Sequence, residues 1–135
     1  MKLLTKHTDY AIRALLALAQ KKDSFVSARE IAKEQSMPYP FLRVILQTLI
    51  KRNLVVSREG GRGGFKINKP PESIHAEQII EIFQGNVQFS ECMFRRKACC
   101  NRATCVLRRQ IQKIEQIVIG KFKKITIATL LRDLS

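Results

Sequence analysis

Apolar side chains recur at helical spacing from residue 5 to residue 20. Ala11, Leu15 and Leu18 fall at i, i+4 and i+7, and Ile12, Leu16 and Ala19 widen the stripe, so a first amphipathic helix is expected. The polar turn Lys21-Lys22-Asp23-Ser24 follows, then the apolar pair Phe25-Val26. Ser27-Ala28-Arg29-Glu30 reads as a capping box: the Ser27 hydroxyl takes the Glu30 amide, and the Glu30 carboxylate reaches back. It predicts a short helix to about Glu34 with Ala28, Ile31 and Ala32 inward. Met37-Pro38-Tyr39-Pro40 ends that helix and begins another, because a proline in the first helical turn forfeits no hydrogen bond. From Phe41 to Lys51, Phe41, Leu42, Ile45, Leu46 and Leu49 mark the inward face, and Arg43, Gln47 and Lys51 the outward one. Two short helices joined by a tight turn, behind a longer one, make the helix-turn-helix pattern.

The period then changes. Leu54-Val55-Val56-Ser57 and Phe65-Lys66-Ile67 read as short strands, and four glycines lie among residues 58–64 between them. That composition predicts a hairpin tip, or wing, able to take positive φ and approach another surface closely. Pro70-Pro71 punctuates the chain, Ser73 is expected to cap a helix to about Phe83 with Ile79, Ile80 and Phe83 inward, and Gly85 stops it. From about Thr104, Leu107, Ile111, Ile114, Val118 and Phe122 form a coiled-coil-like seam, and a last amphipathic helix runs from Ile125 to about Leu134. The expected fold is mostly α: a winged helix-turn-helix with a small β-hairpin wing, plus a long C-terminal dimerisation helix. Three segments are expected: 1–69 for DNA binding, 70–103 for a connecting helix and a cysteine-rich loop, and 104–135 for the dimerisation and terminal helices.

Charge gives this pattern a partner. Twenty-five Lys and Arg against 11 Asp and Glu leave a net charge of +14 on 135 residues. Residues 1–69 hold 14 basic and 5 acidic side chains, nine of the fourteen surplus charges. Such a body attracts polyanions, nucleic acid first and an anionic membrane second. Arg43 and Gln47 are placed to reach base edges in a major groove and Tyr39 to meet a phosphate, Arg58 and Arg62 on the wing suit a narrow minor groove, and Ser27 is a further candidate DNA-binding residue. The bland alternative is a solvated basic surface on a small helical domain. A seam with apolar side chains at residues 107–122 needs a covering partner, and operator-binding proteins of this design are two-fold symmetric. A homodimer on a palindromic double-stranded operator is therefore expected, with the seam as its interface or, alternatively, as intramolecular core.

No run of eighteen apolar residues spans a membrane, and the first residues lack the apolar region and cleavage site of a signal peptide, so a cytoplasmic location is expected. Cytoplasmic thiols stay reduced, which weakens a disulfide reading of the four cysteines, Cys92, Cys99, Cys100 and Cys105. Their gaps are six and five residues through Cys99, or seven and four through Cys100, and neither matches the paired C-x₂₋₄-C spacing of zinc. Wider spacing suits an iron–sulfur cluster, [2Fe–2S] or [4Fe–4S], and Arg95, Arg96, Lys97 and Arg102 would offset its negative charge. A metal-free, oxidant-sensing loop is the alternative. A fourth ligand has three candidates, His7, His75 and Asp9, and Asp9 also suits a helix start by its charge alone. No nucleophile–base constellation, phosphate loop or carboxylate pair suggests an enzyme. A cluster- or sulfur-transfer protein with a basic docking face is the rival from another class.

Met1-Lys2-Leu3, the stretch from Thr8-Asp9-Tyr10 to Leu15, the wing Gly60-Gly61-Arg62-Gly63-Gly64-Phe65 and the cysteine segment before a long helix occur here in one order. Together they resemble the bacterial winged-helix regulators that include IscR, NsrR and RirA, over essentially the whole chain. The resemblance implies that Cys92, Cys99 and Cys105 are cluster ligands. The first gap is one residue longer than usual in IscR-like members, so Cys100 could replace Cys99. Arg108 stands where IscR-like members have a histidine ligand, and Asp9 matches the aspartate with which NsrR-like members reach the partner subunit's cluster. Glu59 stands where the family often has a wing arginine, so either Arg58 or Arg62 takes that role or the operator differs. The family also has metal-free members.

Overall fold

The computed structural model describes residues 3–89 and 105–135. Helix α1 (Lys6–Gln20) opens the fold, capped by Thr5, whose side chain accepts from the Thr8 amide. Helix α2 (Ala28–Gln35) follows, with Ser27 Oγ accepting from the Glu30 amide. Ser36 then turns the chain through a left-handed conformation (φ 53°), and the Met37 amide closes the turn onto the Ala32 carbonyl. Helix α3 (Tyr39–Lys51) starts behind Pro38, with Pro40 in its first turn. Strands β1 (Val55–Arg58) and β2 (Gly64–Ile67) pair antiparallel, Val55 opposite Ile67 and Arg58 opposite Gly64. A single 3-10 turn (Pro71–Ser73) leads to α4 (Ala76–Gln84), and the chain ends in α5 (Val106–Lys124) and α6 (Ile127–Leu134).

The core forms around α1, whose Ala11, Ala14, Leu15 and Leu18 are fully buried. Helices α3, α4 and α6 all lie against it. Leu42, Ile45, Leu46 and Leu49 come from α3, Leu54 and Val55 from the entry to the wing, and Ile74, Ile79 and Ile127 from the second half of the chain. One apolar cluster thus joins residues from the expected first, second and third segments. Among the described residues, Thr8 is the one buried polar side chain.

The wing is anchored as well as paired. Val26 and Phe65 exchange backbone hydrogen bonds, both 2.8 Å, so a single antiparallel bridge ties the residues before α2 to β2. Gly64 permits this approach: it has φ +144°, and a Cβ there would stand 2.5 Å from the Val26 carbonyl oxygen.

Three local expectations change. Phe41 does not join the inward face of α3; it is 49% exposed, because Leu42, Ile45, Leu46 and Leu49 already fill the stripe. Ser73 does not cap α4. It lies in the 3-10 turn, its hydroxyl donates to the Pro70 carbonyl, and α4 starts after His75 without a side-chain cap. Half of the capping box forms; the Glu30 carboxylate instead accepts from Lys21 Nζ at 2.9 Å, which also reaches Glu34 at 2.7 Å.

Helix α5 packs on α4, yet none of its residues is buried. The seam divides: Ile111, Val118 and Phe122 are partly covered, whereas Leu107 and Ile114 are 65% and 50% exposed. Ile117, outside the expected seam, is 64% exposed. Among the described residues no helix is long and apolar enough to cross a membrane.

Candidate nucleic-acid interface and sensory segment

The outward face of α3 carries the expected polar residues, with Arg43 and Gln47 exposed. Tyr39, at the first position of α3, sits between two guanidinium groups, Arg29 at 4.6 Å and Arg43 at 5.9 Å from its ring centre. Cations over an aromatic face keep their charge while losing freedom of position. Tyr39, Arg43 and Arg29 therefore form one preset basic surface spanning α2 and α3. Ser27 is exposed beside it; its oxygen caps α2, and its hydroxyl proton is still available to an acceptor.

The wing repeats this arrangement. The Arg58 guanidinium lies 4.1 Å from the centre of the Phe25 ring, and Lys66 Nζ lies 5.7 Å from it. Arg58 Nη2 also donates to the Arg62 carbonyl at 2.9 Å. Arg62 and Glu59 are exposed at the tip. Sequence reasoning missed Arg29, Phe25 and Lys66. Arg29 was legible only as part of a cap and Phe25 only as an apolar residue; their partners come from tertiary pairing.

Of the candidate cluster ligands, Cys92, Cys99 and Cys100 lie outside the described residues. Cys105 stands at the start of α5, half-buried, its sulfur accepting from the Arg108 amide at 3.4 Å. Asp9, in the first turn of α1, pairs with Arg13 at 3.0 Å, both side chains about half exposed. The two histidines are engaged otherwise. His7 meets the Phe41 ring edge-on at 5.8 Å and, with Pro40 and Val44, lines an open hollow of about 280 Å³. A ring nitrogen of His75 lies 2.6 Å from the Lys123 carbonyl oxygen. Among the described residues no three potential metal ligands come together.

A polar staple ties the start of α1 to the end of α4. Gln84 Oε1 accepts from the Thr8 hydroxyl at 2.7 Å and the Thr5 amide at 3.0 Å, and Gln84 Nε2 donates to the Leu3 carbonyl at 2.8 Å. Thr8 has one hydroxyl proton and gives it to Gln84, so the Thr5 hydroxyl donates to Thr8 across 3.1 Å. Gln84 is the last residue of α4, and the chain continues into the cysteine segment.

Three helices and an anchored two-stranded wing, with basic side chains set on both, define a winged-helix transcription regulator. Residues 4–133 match the family model described as Rrf2, iron-dependent transcriptional regulator, and the chain belongs to that family. Regulators of this family bind DNA and are typically dimeric. The chain is similar to the regulator NsrR of Halalkalibacterium halodurans, 28% identical over 96% of this chain and 90% of that one. Its fold is similar to that of T. potens IscR, with a TM-score of 0.79, 25% identity and coverage of 100% and 89% of the two chains. It is also similar to that of CymR, the global cysteine regulator of B. subtilis, with a TM-score of 0.82, 21% identity and coverage of 98% of both.

Proposed function

We propose that this regulator is a homodimeric repressor, acting in the cytoplasm, whose affinity for a palindromic operator is set by an iron–sulfur cluster held by Cys92, Cys99 or Cys100, and Cys105. Asp9 is the proposed fourth ligand. The observation that carries the reading is the placement of every cysteine within residues 92–105, directly between α4 and α5. The donor set fits: thiolates suit iron–sulfur clusters, and the spacing does not suit zinc. Asp9 fits on geometry to the extent that its carboxylate is half open and engages Arg13 alone among the described ion pairs. When bound, the cluster supplies a site that reacts with nitric oxide or oxidants. Carboxylate is a harder and weaker partner than thiolate for such iron, so Asp9 would be the ligand that lets go first.

The dimer reading is supported by the open apolar residues Leu107, Ile114 and Ile117 on α5. A second copy of the same helix, related by two-fold symmetry, covers them in this reading. Ile111, Val118 and Phe122 then contribute from the flank of the interface.

A second reading, a metal-free thiol switch, is favoured by the fourth cysteine, one more than a three-thiolate site requires. Anaerobic purification separates the two. The first predicts coloured protein containing iron and acid-labile sulfide, with operator affinity that changes when nitric oxide is added. Colourless protein free of iron and sulfide, with affinity that changes on thiol oxidation, selects the second. Cys92→Ala and Cys105→Ala should each abolish the cluster, whereas only one of Cys99→Ala and Cys100→Ala should.

A further inference from the structure

We propose that the two wing arginines have different tasks: Arg62 enters the minor groove and sets the base preference there, whereas Arg58 is a positioning residue that fixes the tip from which Arg62 reaches. The inference rests on reading the wing as a DNA contact and assigns its residues.

Arg58 is already committed on two sides. Its guanidinium stacks on the Phe25 ring at 4.1 Å and donates to the Arg62 carbonyl at 2.9 Å. To probe a groove it would have to leave both. Phe25 is a firm base for the clamp, because the next residue, Val26, exchanges two backbone hydrogen bonds with Phe65. The tip is closed from within as well. The Gly63 amide donates to the Gly60 carbonyl at 3.0 Å, and a Cβ on Gly63 would run into the Arg58 carbonyl oxygen. The chain of constraint therefore runs from Val26 through Phe25 and Arg58 to the backbone of Arg62.

Arg62 is the opposite case. Its backbone is held, but its guanidinium makes no hydrogen bond, ion pair or ring contact among the described residues. Of residues 59–63 it is the one cation, and its acidic neighbour in the tip, Glu59, would oppose a phosphate. A free guanidinium on a fixed stem suits the narrow, electronegative minor groove of an A·T-rich step. That groove distinguishes A·T from G·C chiefly by the guanine amino group.

The probe is a duplex enriched by the wild-type protein from a random-sequence pool. At the step under the wing, A·T is replaced by inosine·C, which keeps the A·T minor-groove face, or by G·C, which adds the amino group. Wild-type protein should bind A·T and inosine·C alike and G·C about tenfold more weakly. Arg62→Ala should bind all three alike. Arg58→Ala and Phe25→Leu should blur the preference, and neither should change it further in an Arg62→Ala background. Hydrogen exchange at the Gly63 amide of free protein should quicken in Arg58→Ala and Phe25→Leu and stay unchanged in Arg62→Ala. An Arg62→Ala protein that keeps the wild-type preference overturns the assignment, as does a Phe25→Leu protein that keeps both the preference and the exchange rate. If wild-type protein enriches no duplex, the DNA reading of the wing falls and this proposal with it.

Discussion

Helices α3 and α5 are both amphipathic, and they end in opposite conditions. Four side chains of the 13-residue α3 are fully buried, and its outward face carries Arg43 and Gln47. The 19-residue α5 buries none, and it leaves Leu107, Ile114 and Ile117 open. Hydrophobic burial fills the inward stripe of α3 within one chain, leaving Phe41 and Val44 open near its start, whereas α5 buries no residue at all. Isolated exposed apolar residues are ordinary, but several along one helix mark a surface meant for another molecule. The helix-turn-helix thus has a core of its own, whereas in the proposed dimer the long helix is covered by a second copy.

The sharpest way to break this comparison is to damage each helix in turn. Leu46→Ala should open a cavity in α3 and cost about 2–5 kcal/mol of folding stability. Denaturant titration should show that loss whatever the protein concentration. Ile114→Asp should cost association several kcal/mol by burying an unpaired charge, on the order of the cost of breaking a buried ion pair. Sedimentation should then show a monomer whose helical signal is unchanged. A dimeric Ile114→Asp protein would place the interface elsewhere. Next in size is Arg43→Ala, which should weaken specific operator binding by about 1–3 kcal/mol and spare much of the binding to random DNA. Equal loss on both would make Arg43 a phosphate contact. Gln84→Leu should cost about 1–3 kcal/mol, because it removes the partner of the Thr8 hydroxyl, the Thr5 amide and the Leu3 carbonyl together. Thr8→Val should suppress only part of that cost in a double-mutant cycle, because the bonds to Thr5 and Leu3 remain.

The smallest effect concerns Lys21. Glu34 and then Glu30 hold its ammonium above the ordinary value of 10.5. The folded form therefore binds this proton more tightly than the unfolded chain. The contribution is complete below that ordinary value and fades as pH rises through the raised one. Lys21→Met should flatten the decline of the melting temperature over that alkaline range by a small amount, and a slope equal to wild type would show the clip to be inert.

Helix periods, the Ser27 cap, the proline start of α3 and the glycine-rich tip were all legible in the sequence because each is a local signal. What was not legible depends on distant partners. Phe41 fits the apolar stripe of α3 by spacing, but the core has room for the four residues beside it. Glu30 completes a capping box on paper, yet Lys21, nine positions earlier, draws its carboxylate away. Phe25 gave no sign of holding Arg58, because that contact exists only once Val26 has found Phe65. The seam on α5 was visible as a repeat, but a repeat does not say which members its own chain covers. The candidate ligands were legible by chemistry, thiols by type and spacing and Asp9 by resemblance. The spacing of Cys99 and Cys100 by itself does not choose between them.

The Gln84 staple makes the start of α1 unlike other chain ends. Terminal helical turns ordinarily fray, opening at little cost and exchanging their amide protons first. Here Leu3, Thr5 and Thr8 are bound to a side chain 76–81 positions away. The first turn of α1 and the last turn of α4 are therefore expected to open together, as hydrogen exchange at their amides would show. Asp9 shares its turn with Thr8, and Gln84 stands eight residues before the first cysteine, Cys92. Slackening at residue 85 is thus predicted to appear as fraying at residue 5, with neither helix moving as a body.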